Sequence, residues 1–287
     1  RIYFRYICVQ NRSMYTEYQP SHLLVPYIDS YWEFKGNPDY GMRIHILPDG
    51  CTDFIFTLGE VANAVEEGSL IMQPYRSYFV GPMTKYSELV TYTESIHMFG
   101  VRFLPCGLSC FTNLPLHEFV NSRVSTNEMK AVFDDTFIEK LGEQKHVTDR
   151  IRVVEEYLLA YLARHYQPAD SHVAMAVNMI NHSKGKRSVR SLMDDVCLCQ
   201  RHFERKFKHY TGFTPKEYSR IVKFKNAVEL LRTTTSANLL TTAVDAGYYD
   251  LAHFSKEIKS MSGNTPASFL SLTVPEETTL TYIEPQR

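Results

Sequence analysis

The sequence predicts an α+β chain of two domains, in which a β-rich N-terminal half precedes an all-α C-terminal half. Its 287 residues are enough for about two domains, and 44% of them are apolar, which is ordinary for globular cores. Short aromatic and β-branched runs dominate residues 20–105, whereas helical periodicity begins near residue 146. In the last third of the chain one helical pattern occurs twice, at a spacing of 51 residues.

The β-rich half, residues 1–145, contains four strand candidates separated by turns. The strands are indicated by Tyr31, Trp32 and Phe34 and by the runs RIHIL, TDFIFTL and IHMFGVRFL. The turns are indicated by Asn37-Pro38, Pro48-Asp49-Gly50 and Gly81-Pro82. Short antiparallel strands at this spacing are typical of a sandwich or a barrel-like sheet. Residues 106–145 read as a mixture of short helices and loops.

A helical connector is predicted over residues 146–169. Its apolar residues recur at every third or fourth position, at Ile151, Val154, Leu158 and Leu162. Pro168 ends the run, and the helix either connects and dimerises or packs onto its own domain. Asp170-Ser171 caps the next helix and opens a helical domain over residues 170–273. The tail, residues 274–287, is expected to be poorly packed.

The repeated pattern predicts two helix-turn-helix units. Its first copy has Phe203, Phe207, Gly212 and Pro215, and its second has Phe254, Ile258, Gly263 and Pro266. Two apolar residues four apart lie on one buried stripe of a helix. The glycine then ends that helix and the proline begins the next one. Two such units suit a long and regular partner, for which double-stranded DNA is the obvious candidate.

In the first unit, the face opposite the buried stripe is charged. It carries Arg201, Glu204, Arg205 and Lys208, at the helical spacing i, i+3, i+4 and i+7. Arginine is the side chain best shaped to bridge two acceptors on a guanine edge, so we expect the two arginines to read bases. Lys206 and Lys208 are better suited to phosphates. The alternative is a helix whose charged face is merely solvated.

A long helix is predicted to link the two units. Thr214 and Glu217 form a capping box with Pro215 at the first helical position, and the helix runs to about Arg232. At about 1.5 Å per residue it spans roughly 25 Å. A rod of that length can hold two recognition helices one turn of DNA apart, roughly 34 Å.

The second unit repeats the arrangement with fewer hydrogen-bonding side chains. Its first helix has Leu239, Ala243 and Val244, and Gly247 forms the turn. Its recognition helix, about residues 250–261, buries Phe254, Ile258 and Met261 and offers on its outer face Ala252, Ser255, Lys256 and Lys259. We infer that the first unit supplies more base discrimination and the second more backbone anchoring. Alternatively, the second unit mainly stabilises the first.

Charge is distributed unevenly along the chain. Residues 171–272 contain 15 Lys/Arg and 8 Asp/Glu, a net +7, whereas the remainder carries −8. This asymmetry favours a nucleic-acid-binding module attached to another domain, although a basic solvated surface would have the same charge.

These residues resemble the C-terminal DNA-binding domain of AraC-type transcription regulators. The resemblance covers about residues 171–272 and is carried by RHFERKFKHYTGFTPKEY and AVDAGYYDLAHFSKEIKSMSGNTPASF. It implies base contacts at Arg201, Glu204 and Arg205 in the first unit. In the second unit it implies contacts near Leu251, Ala252 and Lys256.

The sequence departs from this family pattern at several positions. Cys197 and Cys199 stand where glycine and a Ser/Thr cap are usual. The role of the two cysteines is open between buried filler and redox sensing. Lys256 replaces a frequent arginine, and Leu251 a commonly polar residue.

The N-terminal half resembles an uncharacterised sensing domain found on some AraC-type proteins. The matching runs are YIDSYWEF, ILPDGCTDFIFTLGE and FGVRFLPCGL. The resemblance implies a cupin-like barrel that binds a small-molecule effector or dimerises. The partners expected are therefore DNA, an effector, a second copy of the chain and RNA polymerase, for a cytoplasmic transcription regulator without a cofactor, whether activator or repressor. No apolar run reaches the ~18 residues of a membrane span, so no membrane partner is expected.

An enzyme and a metal protein are the less favoured classes. The candidate ligands are scattered, without CxxC or HxxxH spacing, at His45, Cys51, Asp53, His97, Cys106, Cys110 and His117. No GxSxG, P-loop or GxGxxG motif occurs. The main alternative to a DNA-binding regulator is a small-molecule-binding or interaction protein whose helical half docks on protein.

Overall fold

The β-rich half folds into two sheets that face each other. The computed structural model describes residues 14–38, 42–59, 64–66, 72–91, 95–129, 132–133, 135–165, 167–196, 198–233, 239–271 and 281–283. Its strands are β1 (Tyr15–Tyr18), β2 (Ile28–Gly36), β3 (Met42–Ile46), β4 (Thr52–Thr57), β5 (Ala64–Glu66), β6 (Ser77–Val80), β7 (Ser87–Thr91), β8 (Ile96–Phe103), β9 (Arg123–Ser125) and β10 (Thr281–Ile283). One sheet has the order β1-β2-β8-β4-β6-β9 and the other β10-β3-β7-β5. The four predicted strands are confirmed as β2, β3, β4 and β8.

The six-stranded sheet is buried on both faces. Side chains alternate along β4, so Phe54 and Phe56 lie in one apolar cluster while Ile55, between them, lies in another. The Ile55 cluster fills the space between the two sheets. The Phe54 cluster receives helices α1 (Asp135–Gly142) and α2 (Val147–Arg164). Burial on both faces explains why the strands read as nearly continuous apolar runs.

Helix α2, the predicted connector, packs onto its own domain. Val154 and Leu158 are fully buried against the sheet. Arg150 Nη1 lies 3.1 Å from Glu33 Oε1 on β2, and the backbone N–H of Ser21 donates to Glu155 Oε1 at 2.7 Å. The face that we considered for dimerisation is therefore occupied within the chain.

The C-terminal half is helical, as predicted. Its elements are α3 (Ser171–His182), α4 (Val189–Val196), α5 (Gln200–Thr211), α6 (Pro215–Thr233), α7 (Leu239–Asp245), α8 (Leu251–Ser262) and α9 (Pro266–Ser271). Helices α4 and α5 form the first helix-turn-helix unit, α7 and α8 form the second, and α6 links them. The second recognition helix, predicted over about residues 250–261, agrees with α8 within one residue.

Local capping explains these boundaries. The backbone N–H of Thr214 donates to Glu217 Oε2 at 2.7 Å, and that of Glu217 donates to Thr214 Oγ1 at 3.1 Å, which is the predicted capping box. Gly212 and Gly263 end α5 and α8 with φ of +83° and +76°. This left-handed conformation favours glycine, so both helices stop where the repeated pattern indicated.

Helix α6 is the centre of the C-terminal core. It is buried over most of its circumference, at Tyr218, Ile221, Val222, Phe224, Ala227, Val228 and Leu231. One apolar cluster joins these residues to the buried stripes of both recognition helices, and it includes Leu47 and Cys106 from the N-terminal half. The two units and the edge of the sheet domain therefore share one core.

Two sequence-based expectations differ from the structure. The tail is not poorly packed throughout, since β10 pairs antiparallel with β3. Within the mixed region, residues 106–145, the short strand β9 extends the larger sheet.

Replacing Phe207 with Ala is expected to lower the free energy of unfolding by about 3–5 kcal/mol. Phe207 is fully buried and its ring lies 5.9 Å from that of Tyr218 on α6, so truncation leaves a cavity in the shared core. Urea unfolding followed by circular dichroism measures the change. Lys208→Ala, on the exposed face of the same helix, is the control and should change stability by less than about 0.5 kcal/mol. Equal stability of the two variants would contradict the packing described.

Candidate nucleic-acid interface

The first recognition helix presents a basic face to solvent. Phe203 and Phe207 are fully buried, and on the opposite side Arg201, Arg205 and Lys208 are exposed. No acidic residue lies in the first turn of α5, so nothing there offsets the positive end of the helix dipole. The predicted orientation of the helix is confirmed by this burial, and its exposed face suits an anionic partner.

Contacts within α5 organise the side chains of this face. Gln200 Nε2 donates to Glu204 Oε1 at 2.9 Å, and Arg205 Nη2 donates to His202 Nδ1 at 3.2 Å. These exposed contacts are weak enough to exchange for contacts to a ligand. Cys199 precedes the helix, is exposed, and makes no side-chain cap hydrogen bond. Its neighbour Cys197 lies outside the described residues, so the predicted cysteine turn is seen only in part.

Lys206 is half-buried, and its ammonium contacts its own domain. Its Nζ lies 2.6 Å from Asp170 Oδ2, and the other carboxylate oxygen of Asp170 caps α3 through the backbone N–H groups of His172 and Val173. Although burial alone would raise it, the pKa of Asp170 is lowered by the Lys206 ammonium and by the Val173 N–H. Lys206 therefore ties α5 to α3, a role that its spacing from Lys208 did not reveal.

The second recognition helix presents a less polar face. Phe254 and Ile258 are fully buried, and Asp250 caps α8 by accepting from the backbone N–H of His253 at 2.7 Å. The predicted residues Leu251, Ala252, Lys256 and Lys259 are exposed and Ser255 is half-exposed, and His253 and Ser260 are exposed as well. Two lysines are the basic groups among the predicted residues.

Side chains that the sequence reasoning missed fasten the second unit to α6 and to the loop after α3. Arg220 on α6 makes two hydrogen bonds to Glu257 on α8, from Nε to Oε2 at 2.9 Å and from Nη2 to Oε1 at 3.0 Å. Lys186, from the loop after α3, donates to the Asp245 carbonyl at 2.6 Å, and Lys223 donates to the Gly247 carbonyl at 3.2 Å. These contacts connect residues 24 to 59 positions apart, which periodicity does not detect.

One segment of the N-terminal half, residues 81–86, contacts the ends of both recognition helices. A Cβ added to Gly212 would lie 2.5 Å from Pro82 Cγ, and one added to Gly263 would lie 2.8 Å from Tyr86 Cζ. We call residues 81–86 the bridging segment. Asn121 holds it, donating its backbone N–H to the Pro82 carbonyl at 2.8 Å.

Two further contacts fasten the C-terminal half to the sheet domain. The His209 and His117 rings lie 6.4 Å apart at the end of α5, where burial and then the His117 charge lower the pKa of His209. Under α6, Gly50 adopts φ +88° against the Tyr218 ring, and Lys225 Nζ donates to the Asp49 carbonyl at 3.2 Å. The sheet domain thus touches α5, α6 and α8.

A cavity of about 60 Å³ lies between the two sheets. Its walls are mainly apolar, and Val80 and Met83 place it beside the bridging segment. Its polar end holds Asp53, Arg102 and Arg123, with Arg102 Nε 3.2 Å from Asp53 Oδ1 and 3.6 Å from Asp49 Oδ2. Burial raises the pKa of Asp53, and the Arg102 charge opposes that rise. The volume admits only a few non-hydrogen atoms unless side chains move.

The thiols and metal candidates form no reactive site among the described residues. No three His, Cys, Asp or Glu side chains in this part of the chain form a group that could hold a metal ion. Cys106 and Cys110 are buried, and burial raises the pKa of both thiols, which disfavours the nucleophilic thiolate. None of the described helices combines the length and apolarity of a membrane span.

Comparison with known proteins gives two domain matches. Residues 192–271 match the family described as "Helix-turn-helix domain", and residues 16–125 match a domain of unknown function, DUF6597. No curated protein sequence matches the chain.

Similar solved structures include regulators of transcription. Fatty acid-bound ToxT from Vibrio cholerae has 12% identity and a TM-score of 0.49, covering 88% of this chain and 99% of that one. The C-terminal domain of AraT, a response regulator from Geobacillus stearothermophilus, has 20% identity and a TM-score of 0.34, covering 38% of this chain and 93% of that one. The xylose-binding transcription activator XylR has 18% identity and a TM-score of 0.34, covering 45% and 39%.

The domain match covers both units whose residues carry the AraC-type resemblance, and the paired helices that the pattern predicted are present in the fold. Residues 192–271 therefore form a helix-turn-helix domain, as the repeated pattern predicted.

Proposed function

We propose that this chain is an AraC-type transcription regulator that binds DNA sequence-specifically by placing α5 and α8 in successive major grooves, and that its N-terminal half controls this binding. The observation that carries the proposal is the equivalence of the two recognition helices. Each has the same buried stripe and the same glycine end, and both are packed onto α6. The Arg220–Glu257 pair further restrains α8 on α6, so the two helices act as one rigid reader.

In the first unit, Arg201 and Arg205 are the proposed base-reading residues. Both are exposed on the face of α5 opposite its core, and a guanidinium can donate two hydrogen bonds to guanine O6 and N7. Glu204 lies between them and can accept from a cytosine amino group after exchanging its contact with Gln200.

Phosphate contacts are assigned to Lys208 on α5 and to Lys256 and Lys259 on α8, which are all exposed. Ser255 can donate to a phosphate or to a base edge. Lys206 is not assigned a phosphate contact. Binding a phosphate would break its ion pair with Asp170, the residue that caps α3, and leave that carboxylate without its positive partner.

Control is assigned to the sheet domain, which we extend through α2 to about residue 165. A small molecule in the cavity would displace Val80, which precedes the bridging segment, or Met83, which belongs to it. Pro82 and Tyr86 in that segment contact the ends of both recognition helices. The effector, a second copy of the chain and RNA polymerase stay predicted partners.

Selection of bound sites from a random DNA pool tests the reading geometry. We expect two short preferred blocks about ten base pairs apart, one helical turn. Arg201→Ala and Arg205→Ala should each cost about 1–3 kcal/mol at the selected site and relax base preference in one block. Arg152→Ala, an exposed arginine on α2, is the matched control and should bind like the wild type. Equal losses on selected and random DNA would overturn the base-reading assignment.

Replacing Lys208 with Ala should weaken binding to all sequences and reduce the slope of log affinity against log salt by about one unit. The physical reason is that one phosphate contact, and the counterion it releases, is lost. Lys206→Ala is the matched variant from the same helix. It should leave the slope nearly unchanged but lower thermal stability, since it breaks the ion pair with Asp170. Titrations at several salt concentrations separate the two. A smaller slope for Lys206→Ala than for Lys208→Ala would reverse the assignment.

Tyr86→Ala should make the regulator more tolerant of altered spacing between the two blocks. The aromatic ring contacts the end of α8 while Pro82 contacts that of α5, so truncation releases one of two linked contacts. Affinities for sites lengthened or shortened by one base pair measure this effect. Tyr75→Ala, an exposed tyrosine of the same domain, is the control. Identical spacing penalties in Tyr86→Ala and the wild type would argue against control through the bridging segment.

A further inference from the structure

Large apolar side chains are exposed mainly in the second helix-turn-helix unit. Six large apolar side chains are exposed in the described part of the chain. Four of them lie in one stretch of twelve residues in this unit, at Leu240, Val244, Tyr249 and Leu251. Tyr249 is 92% exposed and directly precedes the helix cap, and Leu251 is the first residue of α8. The start of this recognition helix is therefore an apolar surface in water.

The internal repeat shows which positions these residues occupy. A shift of 51 residues superposes Phe203 on Phe254 and Gly212 on Gly263 in the sequence. The same shift aligns Gln200 with Leu251, Arg201 with Ala252, and Arg205 with Lys256. Leu251 and Ala252 thus stand at the N-terminal positions from which a recognition helix contacts base edges.

Apolar groups at these positions restrict the bases that can be read. Against guanine, adenine or cytosine, Leu251 and Ala252 would exclude water from donors and acceptors on the base edge. Neither side chain can replace the lost hydrogen bonds, so this contact would be unfavourable. Thymine is the base whose major-groove edge carries a methyl group, and apolar side chains contact it favourably. Both residues are exposed, so this contact needs no rearrangement of the helix core.

We propose that the second unit reads thymine methyl groups through Leu251 and Ala252, so that the two units recognise chemically different blocks. This inference rests on the proposed function, in which α8 enters the major groove. The first block is then recognised by hydrogen bonds from arginines. The second is recognised by apolar contact, with Lys256 and Lys259 holding the neighbouring phosphates.

Deoxyuridine tests the proposal because it lacks the thymine methyl group and keeps the same hydrogen-bonding edge. The second block is identified as the selected block whose base preference survives Arg201→Ala. Affinities of the full chain are measured by fluorescence anisotropy for the selected duplex and for duplexes with deoxyuridine at single thymines of each block. Removing a contacted methyl from the second block should weaken binding about fourfold, the equivalent of one buried carbon at about 0.8 kcal/mol. Deoxyuridine in the first block is the DNA control and should have little effect.

Leu251→Ala provides the matched protein variant. Alanine favours helix and the position is exposed, so α8 should stay folded, which circular dichroism checks. At the thymine that Leu251 contacts, this variant should lose most of the fourfold effect of deoxyuridine, the sign of a direct coupling. Tyr249→Ala should retain it.

Other results would separate the two hypotheses. Selection without a two-block site would contradict the proposed function itself. Two blocks with a G·C-rich second block, or a second block insensitive to deoxyuridine, would leave groove reading intact and overturn the thymine assignment. If Leu251→Ala loses as much affinity as the wild type when deoxyuridine replaces each thymine, Leu251 does not contact a thymine methyl group.

Discussion

Burial of the linking helix α6 is the constraint on which the rest of the C-terminal half depends. Its side chains contact apolar residues of both helix-turn-helix units. The position of each recognition helix is therefore fixed by packing against the same helix. If α6 were buried on one face only, the two units could rotate relative to each other. Here Phe224 and Ala227 are fully buried, and the Arg220–Glu257 pair adds a directional contact at the surface. Rigidity of this kind lowers the entropy lost when two helices bind one duplex.

Within this shared frame the two units are chemically unequal. The first presents arginines, and the second presents an aliphatic start followed by lysines. Hydrogen-bonding groups discriminate bases strongly because a wrong partner leaves them unpaired, whereas an apolar contact discriminates by a single methyl group.

The sheet domain contacts the C-terminal half at the ends of both recognition helices and under α6. The bridging segment contacts the glycine ends of α5 and α8, and the turn at Asp49 and Gly50 supports α6. Asp49 also pairs with Arg102 at the polar end of the cavity, and Met83 lines its wall. Two short series of contacts, one polar and one apolar, therefore connect the cavity to the C-terminal half.

The sequence alone determined the elements whose causes are local. Both recognition helices, their buried stripes, the Thr214–Glu217 box and the glycine ends follow from contacts within about four residues, and the structure agrees with them. The strands β2, β3, β4 and β8 were equally visible, because turn residues separate their apolar runs.

Only the tertiary structure decided what depends on distant partners. Lys206 and Lys208 look alike in the sequence, but Asp170, 36 positions away, pairs with the first and leaves the second exposed. Contacts between residues far apart in the sequence also produce the pairing of β10 with β3, the position of the bridging segment and the cavity. A pattern of period 3.6 or 2 reports which face of an element is buried, whereas the residue that it meets there is set by the path of the whole chain.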